Sequence, residues 1–201
     1  MKNKIFTVAN FFSFLRILLT PLFVYLLFTD KPYYAVIALV VFIFASVTDA
    51  YDGYFARKFN TVSRFGIFLD PLADKVLMIT AFLSFVVLGL VPLWMVIVII
   101  LRDFMVTGLR IYFNSRNKSM ETRKTAKVKT GSQIGVIIFI LLYIITQRLA
   151  LLSFLKEPAR QLLVTKYHGI YIVMLIVTLF TIWTGLEYLV VNRKLIFSKK
   201  Q

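Results

Sequence analysis

The stretch DAYDGYFARKFNTVSRFGIFLDPLAD, Asp49 to Asp74, sets four aspartates into a chain that is otherwise mostly Leu, Ile, Val and Phe. Of the 201 residues, 60% are hydrophobic, and the mean hydropathy is +0.83, far above that of a soluble domain of this size. A carboxylate at membrane depth costs roughly 2.5 to 3.5 kcal/mol, so several together need protein cations, protons or metal ions beside them. How these four acids are accommodated decides the fold.

Placed on a helix at about 100° per residue, Asp49, Asp52, Gly53, Ala56 and Arg57 share an arc of roughly 140°, with Tyr51, Tyr54 and Phe55 on the other side. On the next helix Gly66, Asp70 and Asp74 stand four apart and form one stripe. The short basic connection Lys58 to Phe65 predicts an antiparallel hairpin whose carboxylates lie at similar depth. Helix caps and edge ion pairs do not explain two matched stripes. Opposed pairs of oxygen ligands, with no His or Cys among them, suit two divalent cations, Mg²⁺ or Mn²⁺ rather than Zn²⁺. Gly53 and Gly66 let a bulky ligand or a facing helix approach the backbone. Arg57 offers a fork matched to phosphate. Paired metals beside an arginine suggest a pyrophosphate site with in-line phosphoryl transfer.

Outward from this stretch, six apolar runs can be marked: Asn10 to Phe28, Tyr33 to Ala56, Phe65 to Leu90, Pro92 to Phe113, Gly131 to Thr146 and Gly169 to Val191. Each approaches the roughly 20 residues a spanning helix needs, the fifth being the shortest. No Pro/Gly/Ser-rich linker or repeat divides them, so the expectation is one domain, residues 1–201, forming an all-α integral membrane bundle of six transmembrane helices. Lys2 and Lys4 ahead of the first run resemble a signal peptide, but the run is too long and lacks a cleavage pattern.

The net charge of +15 does not indicate nucleic acid, because its distribution follows the positive-inside pattern. Segments predicted to be cytoplasmic hold 15 of the 24 Lys and Arg, against 5 on the other side, so both termini and the active site are placed at the cytoplasmic edge of a plasma membrane. The Arg148 to His168 loop is basic for an outer segment and is expected to lie along the interface as an amphipathic piece. The absence of cysteine excludes disulfides and thiolate metal sites. Asp103 beside Arg102 suits a buried pair between helices, and Glu187 with Arg16 suits another.

The pattern Asp49-x-x-Asp52-Gly53-x-x-Ala56-Arg57, eight residues, then Gly66-x-x-x-Asp70-x-x-x-Asp74, resembles the full signature of the CDP-alcohol phosphotransferase family. The resemblance implies that Asp49, Asp52 and Asp70 bind metal and that Asp74 both binds metal and acts as the base on the acceptor alcohol. It implies CDP-lipid contacts from Thr48, Gly53, Ala56, Arg57, Ser63 and Gly66. "LDPLADK", Leu69 to Lys75, "AKVKTGSQ", Ala126 to Gln133, and "RDFMVTGLR", Arg102 to Arg110, are similar to the phosphatidylglycerophosphate-forming branch. That branch takes CDP-diacylglycerol and glycerol 3-phosphate. Arg110, Lys127 and Lys129 are then the expected acceptor-phosphate cations, and the expected assembly is a homodimer in membrane lipid. Branches that use phosphatidylglycerol or an inositol phosphate are the alternatives within the family. A divalent-cation transporter is the alternative outside it, although such sites sit at the bilayer midplane on broken helices.

Overall fold

The computed structural model describes residues 8–59, 64–114, 125–165, 168–193 and 195, with side chains described for 14–48, 75–113, 128–165, 168–193 and 195. All regular structure among these residues is helical: α1 Val8–Phe28, α2 Tyr34–Phe59, α3 Arg64–Val87, α4 Leu93–Asn114, α5 Thr125–Arg148, α6 Ser153–Arg160 and α7 Gly169–Val191. A 3₁₀ turn, Ala150–Leu152, and a π turn, Gln161–Thr165, flank α6.

Six of these helices have 21 to 26 residues, about 31 to 39 Å at 1.5 Å per residue, so each matches the hydrocarbon thickness of a bilayer in length. Among the described residues, Val128–Arg148 and Gly169–Val191 also satisfy apolarity over that length, while Phe14–Phe28, Tyr34–Thr48 and Lys75–Val87 are shorter apolar stretches. The fifth helix begins at Thr125, well before the apolar run at Gly131, because Ala126, Lys127 and Lys129 are good enough helix formers to extend it. The third stops at Val87 rather than Leu90. Gly89 takes φ +71°, its N–H donates to the Val86 carbonyl (2.9 Å), and the Leu90 N–H donates to the Phe85 carbonyl (3.0 Å), a Schellman ending that Pro92 then enforces.

The helices group as α1–α2–α3 and α4–α5–α7, joined where α2 meets α5 and α3 meets α4. Phe23, Phe42, Phe82, Phe85, Ile137 and Met174 fill the shared core. A smaller cluster of Val106, Phe113 and Tyr188 closes α4 on α7 near the end where α2 gives way to α3, the motif end. The opposite end gathers the turn between α1 and α2, where Arg148 donates to the Thr29 carbonyl (3.2 Å), and the segment around α6, where the Gln147 amide donates to the Lys156 carbonyl (3.2 Å).

The core is apolar, but polar groups are admitted to it and the exterior is apolar as well. Arg16, Lys129, Gln133, Thr178, Thr181 and Thr184 are buried, while Phe14, Val40, Leu101, Ile176 and Trp183 stand exposed around the outside. An apolar girdle of this extent excludes a water-facing surface and suits lipid. The buried hydroxyls are kept inexpensive by bonding along their own helix: Thr20 to the Arg16 carbonyl (2.9 Å), Ser84 to Thr80 (2.8 Å) and Thr178 to Met174 (2.7 Å). In α1, Pro21 removes one backbone donor inside the helix.

Candidate active site

The aspartate motif lies on the last turns of α2 and the first turns of α3, so the helical placement expected from the periodicity is observed for the backbone. Asp49, Asp52, Gly53, Ala56, Arg57, Gly66, Asp70 and Asp74 are on these helices with side chains outside the described ones. Ser63 lies outside the described residues altogether, and the Lys127 side chain does too. Thr48 is buried and donates its hydroxyl to the Phe44 carbonyl at 2.6 Å, which leaves its oxygen as an acceptor only. Among the described residues no group of three or more His, Cys, Asp or Glu converges.

What the structure resolves is the wall behind the motif. Lys75 follows Asp74 directly, and its Nζ reaches across to α4, donating to the Asp103 main-chain carbonyl and to Thr107 Oγ1 (2.5 Å) while lying 5.2 Å from the Phe104 ring centroid. The end of the aspartate stripe is thereby tied to α4. From α5, Lys129 Nζ donates to both carboxylate oxygens of Asp103, at 2.5 and 2.6 Å. Arg102 gives one guanidinium nitrogen to Asp103 Oδ1 (3.2 Å) and the other to Thr184 Oγ1 on α7 (3.1 Å). Gly185 makes that crossing possible, since a Cβ there would sit 2.9 Å from Arg102 Cγ. Lys75, Arg102 and Lys129 thus come from α3, α4 and α5 onto one residue, Arg102 and Lys129 at its carboxylate and Lys75 at its main-chain carbonyl.

The three expected acceptor cations are not equivalent. Lys129 is only 4% exposed and held by Asp103. Arg110 is exposed, 6.0 Å from the Tyr188 ring centroid, a cation–π contact that aims its stem along the joint between α4 and α7. Its charge, with those of Arg102 and Lys129, acts on Lys75. The pair expected of Asp103 and Arg102 exists, but Asp103 is also the hub for Lys129 and Lys75, which adjacency in sequence did not indicate. For Arg16, the described contact is its Nε donating to the Ala45 carbonyl (3.4 Å). A cavity of about 270 Å³ lined by Gly89, Pro92, Leu163, His168 and Tyr171 lies at the end away from the motif.

Comparison with known proteins follows this geometry. A CDP-alcohol phosphatidyltransferase domain matches residues 6–183. The chain is 48% identical over 104 residues to a CDP-diacylglycerol–glycerol-3-phosphate 3-phosphatidyltransferase of Bacillus subtilis, covering 52% of this chain and 54% of that one. A protein of the same name from Cereibacter sphaeroides is 33% identical over 140 residues, covering 68% and 63%. Another from Rickettsia typhi is 31% identical over 142 residues, covering 71% and 78%. The matched stretch therefore spans about half the length of the Bacillus relative and somewhat more of the others.

Proposed function

The chain belongs to the CDP-alcohol phosphatidyltransferase family, and from that premise we propose that it transfers the phosphatidyl group of CDP-diacylglycerol to glycerol 3-phosphate, yielding phosphatidylglycerophosphate and CMP. The observation that carries the choice of acceptor is the cluster of Lys75, Arg102 and Lys129 immediately behind the aspartate motif, with Arg110 nearby. A phosphate-bearing acceptor needs such a field; a neutral one does not.

In this reading α1 to α5 and α7 each cross the membrane, and both ends of the chain and residues 115–124 face the cytoplasm, where the motif end also lies. Four carboxylates at helical spacing, all hard oxygen donors, fit two Mg²⁺ or Mn²⁺ ions held by Asp49, Asp52, Asp70 and Asp74. Bound there, such ions stabilise charge on the phosphoryl oxygens and on the departing nucleotide. Arg57 holds the pyrophosphate, and Gly53 and Gly66 leave room for it. Thr48, Ala56 and Ser63 line the same CDP-lipid side. The Asp74 carboxylate takes the proton of the primary hydroxyl. The freed oxygen forms a bond to the lipid-bearing phosphorus as that atom's bond to CMP breaks. Arg110, Lys127 and Lys129 hold the acceptor's phosphate.

Purified protein supplied with CDP-diacylglycerol, Mg²⁺ and a panel of labelled acceptors tests this directly. Glycerol 3-phosphate should be consumed with release of CMP, and glycerol should be a poor substitute. Arg110→Ala should raise the KM for glycerol 3-phosphate and leave that for CDP-diacylglycerol nearly unchanged, an effect on the order of 10- to 150-fold in kcat/KM for one lost charge-assisted contact. Turnover with phosphatidylglycerol or an inositol phosphate, and none with glycerol 3-phosphate, would retain the family and refute the acceptor.

A further inference from the structure

We infer that Asp103 is a positioning residue for the acceptor side of the site: its carboxylate holds the Lys129 ammonium and its main-chain carbonyl holds the Lys75 ammonium, which fixes where the cations of α3, α4 and α5 converge. The inference rests on the reading above in that these cations face the acceptor.

Lys129 is almost wholly buried, and an ammonium is kept at such a place only by a close partner. Asp103 chelates it with both oxygens, taking two of its three protons and leaving one for another acceptor. Without that grip the flexible lysine stem would carry its charge toward the cytoplasmic interface. Arg102 shares Oδ1 and is anchored at its far edge by Thr184, so it too is positioned by the Asp103 carboxylate. Three cations and one carboxylate leave this group with a charge of +2, and Arg110 adds to it. Asp103 is what lets like charges stand together.

The network is also not closed on itself. Arg102 Nε, Gln133 Nε2 and Thr181 Oγ1 are buried with no hydrogen-bond partner. Gln133 is one turn from Lys129 on α5, and Thr181 is one turn from Thr184 on α7. An ion pair whose only task is to join helices has no use for surplus donors beside it. A site that receives phosphate and hydroxyl oxygens does.

The test compares wild type, Asp103→Asn, Asp103→Glu, Lys129→Gln and the double variant Asp103→Asn/Lys129→Gln for KM of each substrate, kcat and Tm. Asp103→Asn should raise the acceptor KM by about ten-fold or more, with the CDP-diacylglycerol KM within about two-fold. Asp103→Glu should recover part of the loss, and the double variant should be no worse than Lys129→Gln alone. A fall in acceptor KM would show Asp103 to be only a competing counter-ion. Equal rises in both KM values with a lower Tm, or losses that add in the double variant, would make it a structural brace; either result overturns the inference. Should Asp103→Asn not fold, Asp103→Glu decides, because it keeps the charge, displaces the carboxylate by one methylene and must raise the acceptor KM alone. If wild type proves to use phosphatidylglycerol or an inositol phosphate, the acceptor reading fails, and the same variants assayed with that acceptor still decide the role of Asp103.

Discussion

At Gly185 one hydrogen atom separates α7 from the stem of Arg102, and this contact sets the position of the cation cluster. Gly185→Ala forces Arg102 to move and strains its bond to Thr184, so Tm in detergent should fall by an amount corresponding to about 1 to 3 kcal/mol. Gly135→Ala, where nothing lies within 4 Å of the added carbon, is the control and should be neutral or slightly stabilising. In the proposed function the aspartates act chemically rather than sterically, which gives a different expectation. Asp49→Asn, Asp52→Asn and Asp70→Asn should each abolish transfer and weaken Mn²⁺ binding with Tm retained; near-normal turnover in any of them sinks the two-metal assignment. Asp74→Asn should lose turnover far more completely than CDP-diacylglycerol affinity, measured by equilibrium binding, if Asp74 is the base on the acceptor hydroxyl.

Among the elements, the segment from Ala150 to Thr165 is the one whose surroundings determine its shape. None of the residues of α6 is buried in the protein, and at about 100° per residue Phe154, Leu155, Pro158 and Ala159 fall on one side, with Lys156, Glu157 and Arg160 on the other. Leu151 is 85% exposed and Phe154 71%, against 57% for the Arg160 side chain. Solvent access alone therefore predicts that the apolar positions react faster with an aqueous reagent. An interfacial helix predicts the reverse. The chain has no cysteine, so Leu151→Cys, Phe154→Cys and Arg160→Cys can be compared without background. In membranes, a charged maleimide should label Arg160→Cys readily and the other two slowly; equal or faster labelling of the apolar pair would place α6 in water.

For the whole molecule, an exposed girdle of Phe, Leu, Ile and Trp around an apolar core that also takes in Arg16, Lys129, Gln133 and several threonines suits a protein whose solvent is lipid. The charge asymmetry of 15 against 5 predicts that reporter tags at the two termini both give cytoplasmic signals. A signal from the far side at either end would overturn the proposed six-span topology and the cytoplasmic placement of the motif.

Six long helices and the aspartate motif on two of them were legible in the residues alone, and the reason is local. In lipid every backbone polar group must be satisfied within its own segment, so apolar length and helical periodicity determine the elements, and a motif read at 3.6 residues per turn lands on one face. Helix ends were less legible: Gly89 could be recognised as a stop only once its left-handed conformation was seen, and α5 begins well over a turn before its apolar run. The contacts of the charged side chains were decided by tertiary structure. Lys129 meets Asp103 across 26 positions and Lys75 meets it across 28, while the neighbour Arg102 turns its other edge to Thr184, 82 positions away. Which charges meet depends on how far apart α3, α4, α5 and α7 stand and on a missing Cβ at Gly185, and neither periodicity nor charge count along one helix contains that distance.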